Sequence, residues 1–343
     1  MKFDFVIGNP PYQEQTLGDN KGFAPPVYDK FIDAAQEISE RVEMIHPARF
    51  LFNAGSTPKE WNKRMLENPH LKVLRYESKS SLIFANTDIM GGIAITYFDR
   101  RKDFGAIQKF IAIKELNSVF RKIKSSVDFV GMDSIAVSSY SYHFTDLFHK
   151  NNPTAVSQMS VGHYKDLKTN TFERLGEFFY DSDPNDEYEY AKIVGRFGNE
   201  RVIKYIREDY IAYPQNYRKY KIFIAKANGS RDLGSTGPLL LGDKNTGSTE
   251  TFMSLGSFEK KTEAENAIKY IKTKFARALF GISKVTQQIT PDVWKYVPMQ
   301  DFTKNSDICW DVSIDNICKQ LYQKYDLTAE EISFIETNVK EME

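Results

Sequence analysis

An apolar run that ends abruptly at two prolines limits what the first residues of this chain can fold into. The sequence Phe3-Asp4-Phe5-Val6-Ile7-Gly8 is followed directly by Asn9-Pro10-Pro11-Tyr12. Proline has no N–H to donate to a sheet, and the residue before a proline is driven out of the helical region. The run therefore predicts a buried parallel strand that ends at Asn9. Ligands of open α/β sheets bind beyond the carboxyl ends of the strands, so Asn9 and Tyr12 are expected at that rim.

The four residues from Asn9 to Tyr12 combine a side-chain amide, two rigid prolines and an aromatic face. Since carbonyl oxygens accept hydrogen bonds and an aromatic ring can stack, this set can hold a planar base that carries an amino group. The same four residues are also typical of a turn that exposes a proline ligand to a small domain. The tetrapeptide alone leaves both interpretations open. The apolar strand and Gly8 in front of it favour the first.

The motif Asp4-x-x-x-Gly8-Asn9-Pro10-Pro11-Tyr12 resembles, position by position, the catalytic motif of the DNA methyltransferases that act on the amino group of adenine. Among these it is most similar to the long restriction-modification methylases that have a C-terminal target recognition domain. The resemblance implies that S-adenosylmethionine is the methyl donor and double-stranded DNA the substrate. The target adenine must then be flipped out of the duplex, which costs roughly a few kcal/mol.

The resemblance also implies roles for individual residues. The side-chain oxygen of Asn9 and the carbonyl of Pro10 would accept hydrogen bonds from the adenine amino group, and Pro11 would keep the turn rigid. Tyr12 would stack on the base, a contact worth about 1–3 kcal/mol. Phe84, in the loop before a predicted strand, matches the aromatic residue that covers the opposite face of the base, with hydrophobic filling as the alternative. Catalysis would then be mostly positioning, without a strong base.

The implied cofactor contacts lie on a helix predicted over residues 25–40. The family has an aromatic residue there that packs on the adenine ring of S-adenosylmethionine; Tyr28 and Phe31 are the candidates, and core packing is the alternative role. No glycine-rich turn for the methionine end of the cofactor is found before Phe3 or elsewhere. We therefore expect only the second half of a Rossmann-like methyltransferase sheet. A partner polypeptide, a second copy or a rearranged segment of the chain is expected to cover the edge of the strand at residues 3–7.

Length and composition favour two domains with real cores, since 343 residues contain 41% hydrophobic and 14% aromatic side chains. We predict an α/β fold with a partial methyltransferase catalytic domain at 1–125, an α/β target recognition domain at 126–300 and a C-terminal helical segment at 301–343. No apolar stretch approaches a membrane span and the first residues predict a strand, so a cytoplasmic location is expected. Cys309 and Cys318 are expected to be buried thiols, with neither a disulfide nor a metal site.

The formal net charge is zero, but its distribution along the chain is uneven. Residues 192–231 contain ten Lys or Arg against three Asp or Glu, whereas residues 301–343 contain four against ten. A local excess of positive charge suits DNA phosphates, although a solvated charged face is an equally good interpretation. The stretch from Lys219 to about Phe280 resembles the target recognition region of the same family, and a helix is predicted in it from Ala264 to Phe280. Its strands are expected to alternate, with basic residues on the polar face. The residues expected to contact DNA are Arg218, Lys219, Lys221, Lys226, Asn228 and Arg231.

Together these patterns predict a site-specific DNA adenine-N6 methyltransferase that is active once its cofactor-binding half is supplied. A catalytically inactive DNA-binding specificity fragment is the alternative. The intact motif from Asn9 to Tyr12 favours the enzyme. A fused nuclease is not indicated, because Pro291-Asp292 has no acid-x-Lys partner on a neighbouring predicted strand.

Overall fold

The computed structural model describes residues 3–14, 24–126, 128–230, 232–284 and 288–342. The chain divides into two compact units, residues 1–113 and 114–343. Both units contain helices and strands, which confirms the α/β class. Most of the loop predicted between Gln13 and Ala24 lies outside the described residues, and so does Arg231.

In the described part of the first unit, strands and helices alternate before two final strands. They are β1 (Val6–Gly8), α1 (Tyr28–Ile38), β2 (Arg41–Pro47), α2 (Lys59–Glu67), β3 (Leu71–Glu77) and β4 (Ile93–Asp99). Short 3-10 helices lie at Ala48–Phe52 and Ser80–Leu82. The strand order is β1-β2-β4-β3. β1 is parallel to β2, and β4 is antiparallel to both of its neighbours.

β1 is shorter and more exposed than the strand predicted from the apolar run. It is parallel, as predicted, but it is the outermost strand of the described sheet and is not buried: Ile7 is 74% exposed. Its register places Gly8 opposite Met44, where a Cβ on residue 8 would lie 2.8 Å from the Met44 sulfur. Gly8 therefore permits close packing of β1 on β2 immediately before the chain turns at the prolines.

The core of the first unit lies between α1, α2 and the sheet. α1 buries Tyr28, Ile32 and Ala35, which recur at helical spacing and face the same side. They pack in one cluster with the strand residues Val42 and Met44, and with residues of α2. This packing positions the loops that leave β1 and β2.

The second unit contains the remaining helices and strands of the described chain. They are α3 (Lys114–Lys124), β5 (Ala136–Val137), β6 (His143–Phe144), α4 (Asp146–Asn151), α5 (Thr171–Arg174), β7 (Tyr190–Phe197), β8 (Glu200–Arg207), β9 (Ile211–Ala212), β10 (Tyr220–Ala225), β11 (Leu239–Gly242), β12 (Thr246–Ser248), β13 (Phe252–Phe258), α6 (Lys261–Lys272), α7 (Lys274–Ser283), α8 (Ile314–Lys324) and α9 (Ala329–Asn338). The strands form sheets in the orders β11-β10-β13-β5, β12-β7-β8 and β6-β9. Among the described helices, none is long and apolar enough to cross a bilayer.

Three sequence expectations differ from the structure of this unit. The helix predicted from Ala264 to Phe280 is two helices, because Thr273 has an extended conformation and its hydroxyl caps α7 by accepting from the Ala276 N–H at 3.1 Å. Cys309 is exposed and only Cys318 is buried. The predicted domain division at residue 125 falls just after α3, which belongs to the compact unit that begins at residue 114.

Candidate functional site

The residues from Asn9 to Tyr12 form the turn at the carboxyl end of β1. Asn9 and Pro11 are exposed, Pro10 is buried and Tyr12 is partly buried. The turn is joined to the segment that leads into α1, since the Val27 N–H donates to the Tyr12 carbonyl at 3.2 Å. The two prolines end the strand, as predicted, and leave the Asn9 side chain accessible at the rim of the sheet.

A cavity of about 320 Å³ opens beside this turn, entirely within the first unit. Four segments line it: the turn after β1, the segment that leads into the first turn of α1, the segment that follows β2 and the loop before β4. The lining residues are Tyr12, Gln13, Ala24, Pro26, Tyr28, Pro47, Arg49, Gly55, Ser56, Asp88, Ile89 and Met90. Its size lies at the lower end of small-molecule sites.

Tyr12 lines the cavity, and its hydroxyl group has an unusual environment. Its hydroxyl is buried and has no hydrogen-bond partner among the described residues. Burial raises the pKa of Tyr12, so the phenol stays neutral. A buried hydroxyl without a partner is unfavourable, so this end of the side chain costs stability.

The cavity wall behind Tyr28 is a buried aromatic and polar network. Tyr28 stacks on His46 with ring centroids 5.7 Å apart and planes 2° apart. His46 Nδ1 lies 3.0 Å from the Pro47 carbonyl, which can only accept, so this nitrogen holds the proton and Nε2 accepts from the Thr96 hydroxyl at 2.9 Å. Burial lowers the pKa of His46 to about 4. His46 is therefore a neutral structural residue, and the ring of Tyr28 is 4% exposed.

Phe31 and Phe84 are not among the described residues that line the cavity. Phe31 lies in the first turn of α1 and is 47% exposed, so its ring is accessible. Phe84 is partly buried in the loop before β4, where its N–H donates to Ser80 at 2.8 Å and its carbonyl accepts from the Thr87 hydroxyl at 2.7 Å. Of the predicted residues, the structure thus brings only Tyr12 and Tyr28 together in one cavity wall.

Most of the cations predicted to contact DNA already have partners in the second unit. Arg218 pairs with Glu208 and Lys219 with Glu259. The Lys226 ammonium donates to the Tyr140 hydroxyl. The positive excess counted along the chain is thus partly neutralised by acids such as Glu259 that lie outside the counted stretch.

Asn228 uses its side chain to hold its own loop. Its amide N–H donates to the Ser235 hydroxyl at 2.7 Å, and its side-chain oxygen accepts from the Ser230 N–H at 3.0 Å. These two bonds stabilise the chain that follows β10. The amide keeps a second N–H and a second acceptor lone pair beyond these two bonds.

Lys221 corrects the sequence interpretation, because it lies in the core instead of on a surface. It is 0% exposed, and its ammonium donates to the backbone carbonyls of Tyr217 at 2.9 Å, Asp243 at 3.1 Å and Thr246 at 2.9 Å. Burial lowers its pKa to about 7. β10 is buried on both faces, so the assumed alternation of polar and apolar sides does not apply to it. Lys221 therefore cannot contact DNA in this fold.

Two other arginines of the second unit are held by neutral groups, and charge counting did not distinguish them. The Arg196 guanidinium donates to the Gly198 carbonyl and to the Asn199 side-chain oxygen, each at 3.2 Å, and the Arg201 guanidinium lies over the Phe252 ring. Arg196 on β7 and Arg201 on β8 are exposed and stand directly opposite each other. Lys204 and Arg207 form ion pairs, whereas no carboxylate pairs with Arg196 or Arg201 in the described part of the chain. Like charges directly across a strand pair are destabilising. The turn residues Gly198-Asn199 between two alternating runs were the available sequence signal for this hairpin.

Arg49 is the residue of the first unit that the sequence interpretation missed. It lies in the 3-10 helix that follows β2 and lines the same cavity as Tyr12. The signal was available: Pro47-Ala48-Arg49 follows a buried strand just as Asn9-Pro10-Pro11 follows β1. Side chains at the carboxyl ends of neighbouring parallel strands meet at one rim.

The fold and cavity define an α/β unit with a strand-end site, and a protein-family model matches this part of the chain. Residues 1–84 match the family model described as Eco57I restriction-modification methylase. An uncharacterized adenine-specific methylase of Mycoplasma pneumoniae (strain ATCC 29342 / M129 / Subtype 1) is 30% identical over 95 residues, which is 27% of this chain. The chain spans 22% of the length of that relative.

Two solved structures resemble the whole chain at low similarity. The type IIG restriction endonuclease BpuSI superimposes with a TM-score of 0.33 and 10% identity, over 98% of this chain and 53% of that one. The type IIL restriction-modification enzyme MmeI, solved in complex with DNA, superimposes with a TM-score of 0.35 and 11% identity, over 98% of this chain and 56% of that one.

Proposed function

We propose that this chain is the catalytic and DNA-recognition part of a site-specific DNA adenine-N6 methyltransferase of the restriction-modification type. The observation that carries the proposal is the turn from Asn9 to Tyr12 at the carboxyl end of β1, with Tyr12 on a cavity wall. The family match over residues 1–84 includes this turn and supports a methylase. The name of the curated relative supports adenine as the base.

The strand order of the first unit supports the second half of a Rossmann-like methyltransferase sheet. β1 and β2 are parallel neighbours, so their carboxyl ends lie at one rim. The antiparallel strand β4 is inserted between β2 and β3. This arrangement brings the turn after β1 and the segment after β2 to the same cavity, as a ligand site of an open sheet requires.

In the proposed reaction, the residues of the turn position an amine instead of removing its proton. Asn9 and Pro10 accept the two N–H groups of the adenine amino group, which draws its nitrogen out of conjugation with the ring. The nitrogen would then take the methyl group as the carbon–sulfur bond of the donor breaks, with S-adenosylhomocysteine as the leaving group, and the extra proton would pass to water after the N–C bond has formed. Tyr12 stacks on one face of the base, and Phe84, which does not line the cavity in this structure, would have to move towards it to cover the other face. His46, buried and neutral, takes no part in proton transfer.

The donor S-adenosylmethionine would supply the methyl group, and the described residues fit it at one point. Phe31 offers an accessible ring one helical turn from the segment bonded to Tyr12. An exposed phenyl ring on a helix is suited to pack on the adenine of the cofactor. Tyr28 supports the cavity wall from behind, where its ring already stacks on His46. We therefore assign the cofactor contact to Phe31 and a packing role to Tyr28.

We propose that the second unit binds the duplex with the Arg196–Arg201 pair as its main phosphate contact. An anion between these two opposed guanidinium groups would relieve their repulsion. Arg218, Lys219 and Lys226 would add weaker contacts, because each already forms an ion pair with a carboxylate. Asn228 and Arg231 stay in the proposal as readers of base edges, whereas Lys221 is removed from it.

The exposed edge of β1 supports the proposal that another polypeptide completes the sheet. In the described residues, β1 pairs with a strand on one side only. Phe3, Phe5 and Ile7 along it are 45%, 37% and 74% exposed. An apolar strand with unpaired backbone groups readily accepts a further strand. A partner polypeptide or a second copy of this chain would cover it.

Methyl transfer to DNA tests the proposed function directly. The full chain, alone and co-expressed with the polypeptide encoded next to it, would be incubated with labelled S-adenosylmethionine and unmethylated plasmid DNA. Nucleoside chromatography should then find N6-methyladenine. Asn9→Ala should lower the rate about 30- to 1,000-fold, corresponding to roughly 2–4 kcal/mol of transition-state stabilisation, with little change in DNA affinity.

Asn338→Ala, at an exposed asparagine of α9, is the matched control and should leave the rate unchanged. A methyltransferase whose rate does not depend on Asn9 would show that the catalytic assignment is wrong. DNA binding without methyl transfer in either preparation would favour the inactive specificity fragment.

A further inference from the structure

Arg49 is held in the cavity by an arrangement that fixes the direction of its side chain. Its Nε donates to the Met90 carbonyl at 2.6 Å, across 41 residues of chain. The backbone of the same segment is anchored by the Ala48 N–H, which donates to the Gly92 carbonyl at 2.9 Å. Both bonds join the segment after β2 to the loop before β4.

Two glycines enclose the aliphatic stem of Arg49. Gly55 and Gly91 have φ angles of +83° and +89°, which side chains rarely adopt. A Cβ on residue 55 would lie 3.1 Å from the Cβ and Cδ of Arg49, and a Cβ on residue 91 would lie 2.8 Å from its Cγ. Both positions therefore need glycine for backbone conformation and for space. The consequence is a stem held between two loops, both of which line the cavity.

The terminal nitrogens of Arg49 are available for a ligand. With Nε bonded to Met90, the two NH₂ groups of the guanidinium have no hydrogen-bond or ion-pair partner among the described residues. Arg64, an arginine of the same unit, pairs with Asp33 at 2.7 Å. A fixed guanidinium with two free NH₂ groups matches two oxygens of one anion.

We propose that Arg49 binds the phosphate of the nucleotide whose base occupies the cavity, so that the base lies against Tyr12 and the phosphate against the guanidinium. This inference rests on the proposed function and adds the residue that recognises the backbone of the flipped nucleotide. A flipped base needs such a contact, because its phosphate leaves the path of the duplex. The carboxylate of S-adenosylmethionine is an anion of the same kind, and the experiment separates the two.

The test measures binding of small probes to the full chain by ligand-observed NMR. The probes are 2′-deoxyadenosine, 2′-deoxyadenosine 5′-monophosphate, S-adenosylhomocysteine and inorganic phosphate. The variants are Arg49→Met, Arg49→Lys and the control Arg75→Met, at an exposed arginine of β3 in the same unit. Arg49→Met should weaken binding of the monophosphate about tenfold or more and leave the affinity for deoxyadenosine unchanged.

Arg49→Lys keeps the charge without the planar fork, so its loss should be smaller, and Arg75→Met should bind every probe as the wild type does. Unchanged deoxyadenosine binding also shows that Arg49→Met is folded. Equal loss of the nucleoside and the monophosphate, or no loss of either, would overturn the inference. A loss confined to S-adenosylhomocysteine would assign Arg49 to the cofactor carboxylate instead.

The same data separate this inference from the proposed function. If deoxyadenosine does not bind, or binds equally to Tyr12→Ala, the base site is wrong. If inorganic phosphate then still bound in a way that depends on Arg49, Arg49 would form an anion site whose ligand is not the nucleotide.

Discussion

The two units differ in how their functional side chains are determined. In the first unit, a few consecutive positions contain the end of β1, the two prolines and the residues at the rim of the sheet. The structure places these features where the sequence predicts them. In the second unit, the predicted DNA contacts came from a count of charges along 40 residues, and the fold redistributes them. Lys219 forms an ion pair with Glu259, which lies 40 residues away in the chain. Lys221 is buried.

This difference shows which sequence signals transfer to a surface. A backbone restriction such as proline acts on its own neighbours, whereas an ion pair joins any two residues that the fold brings together. A motif of the first kind keeps its meaning in the tertiary structure. A charge count keeps it only where no acid approaches, as at Arg196 and Arg201.

The largest expected effect is at Lys221. Lys221→Met should lower the free energy of unfolding by about 3–5 kcal/mol, because three carbonyls, two buried and one partly buried, lose their donor. Urea unfolding measures it, with Lys219→Met as a near-neutral control at a partly exposed site. A stable Lys221→Met protein with weakened DNA binding would break the comparison, since it would put this lysine on the DNA surface.

A second effect concerns pH and the wall of the cavity. The folded-state pKa of His46 is about 4, below its ordinary 6.5, so the unfolded state binds the proton more tightly. Stability from this residue is present above pH 6.5 and lost as pH falls towards 4, by about 3 kcal/mol in total. The gap in unfolding free energy between wild type and His46→Gln should narrow over that window. A gap that stays constant, or a resonance assigned to His46 that titrates near 6.5, would contradict the buried neutral assignment.

Tyr12 sharpens the comparison by separating its ring from its hydroxyl. Tyr12→Ala should weaken binding of an oligonucleotide with an extrahelical 2-aminopurine by about 1–3 kcal/mol, the value of a lost stack. Tyr12→Phe should bind as the wild type does, because the hydroxyl has no partner in the described structure. Fluorescence titration measures both, and an equal loss in the two variants would assign the role to the hydroxyl.

The smallest effect is expected in the salt dependence of duplex binding. The logarithm of the affinity should fall by nearly one unit per phosphate contact for each tenfold rise in salt concentration. Arg196→Gln with Arg201→Gln should reduce that slope by about two, whereas Lys219→Gln should change it less, because Glu259 competes for its charge. Fluorescence anisotropy across a salt series measures the slopes. Salt-independent affinity in the wild type would mean that these cations form only a solvated face.

The helices show the same division between local and distant causes. The C-terminal helical segment predicted at 301–343 contains α8 and α9. α6 and α7 were predicted as one helix, because their periodicity continues across Thr273. The break depends on the capping choice of one residue, which periodicity does not express.

The amino-acid sequence alone determined that the chain leaves β1 at Asn9, and that a carbonyl-rich turn and an aromatic ring follow it. These features depend on proline geometry and on neighbours in the chain. Only the tertiary structure decided that Arg49 is enclosed by Gly55 and Gly91 and held by Met90. It likewise decided which cations are paired. Such contacts join residues far apart in sequence, so their geometry exists only once the fold has formed.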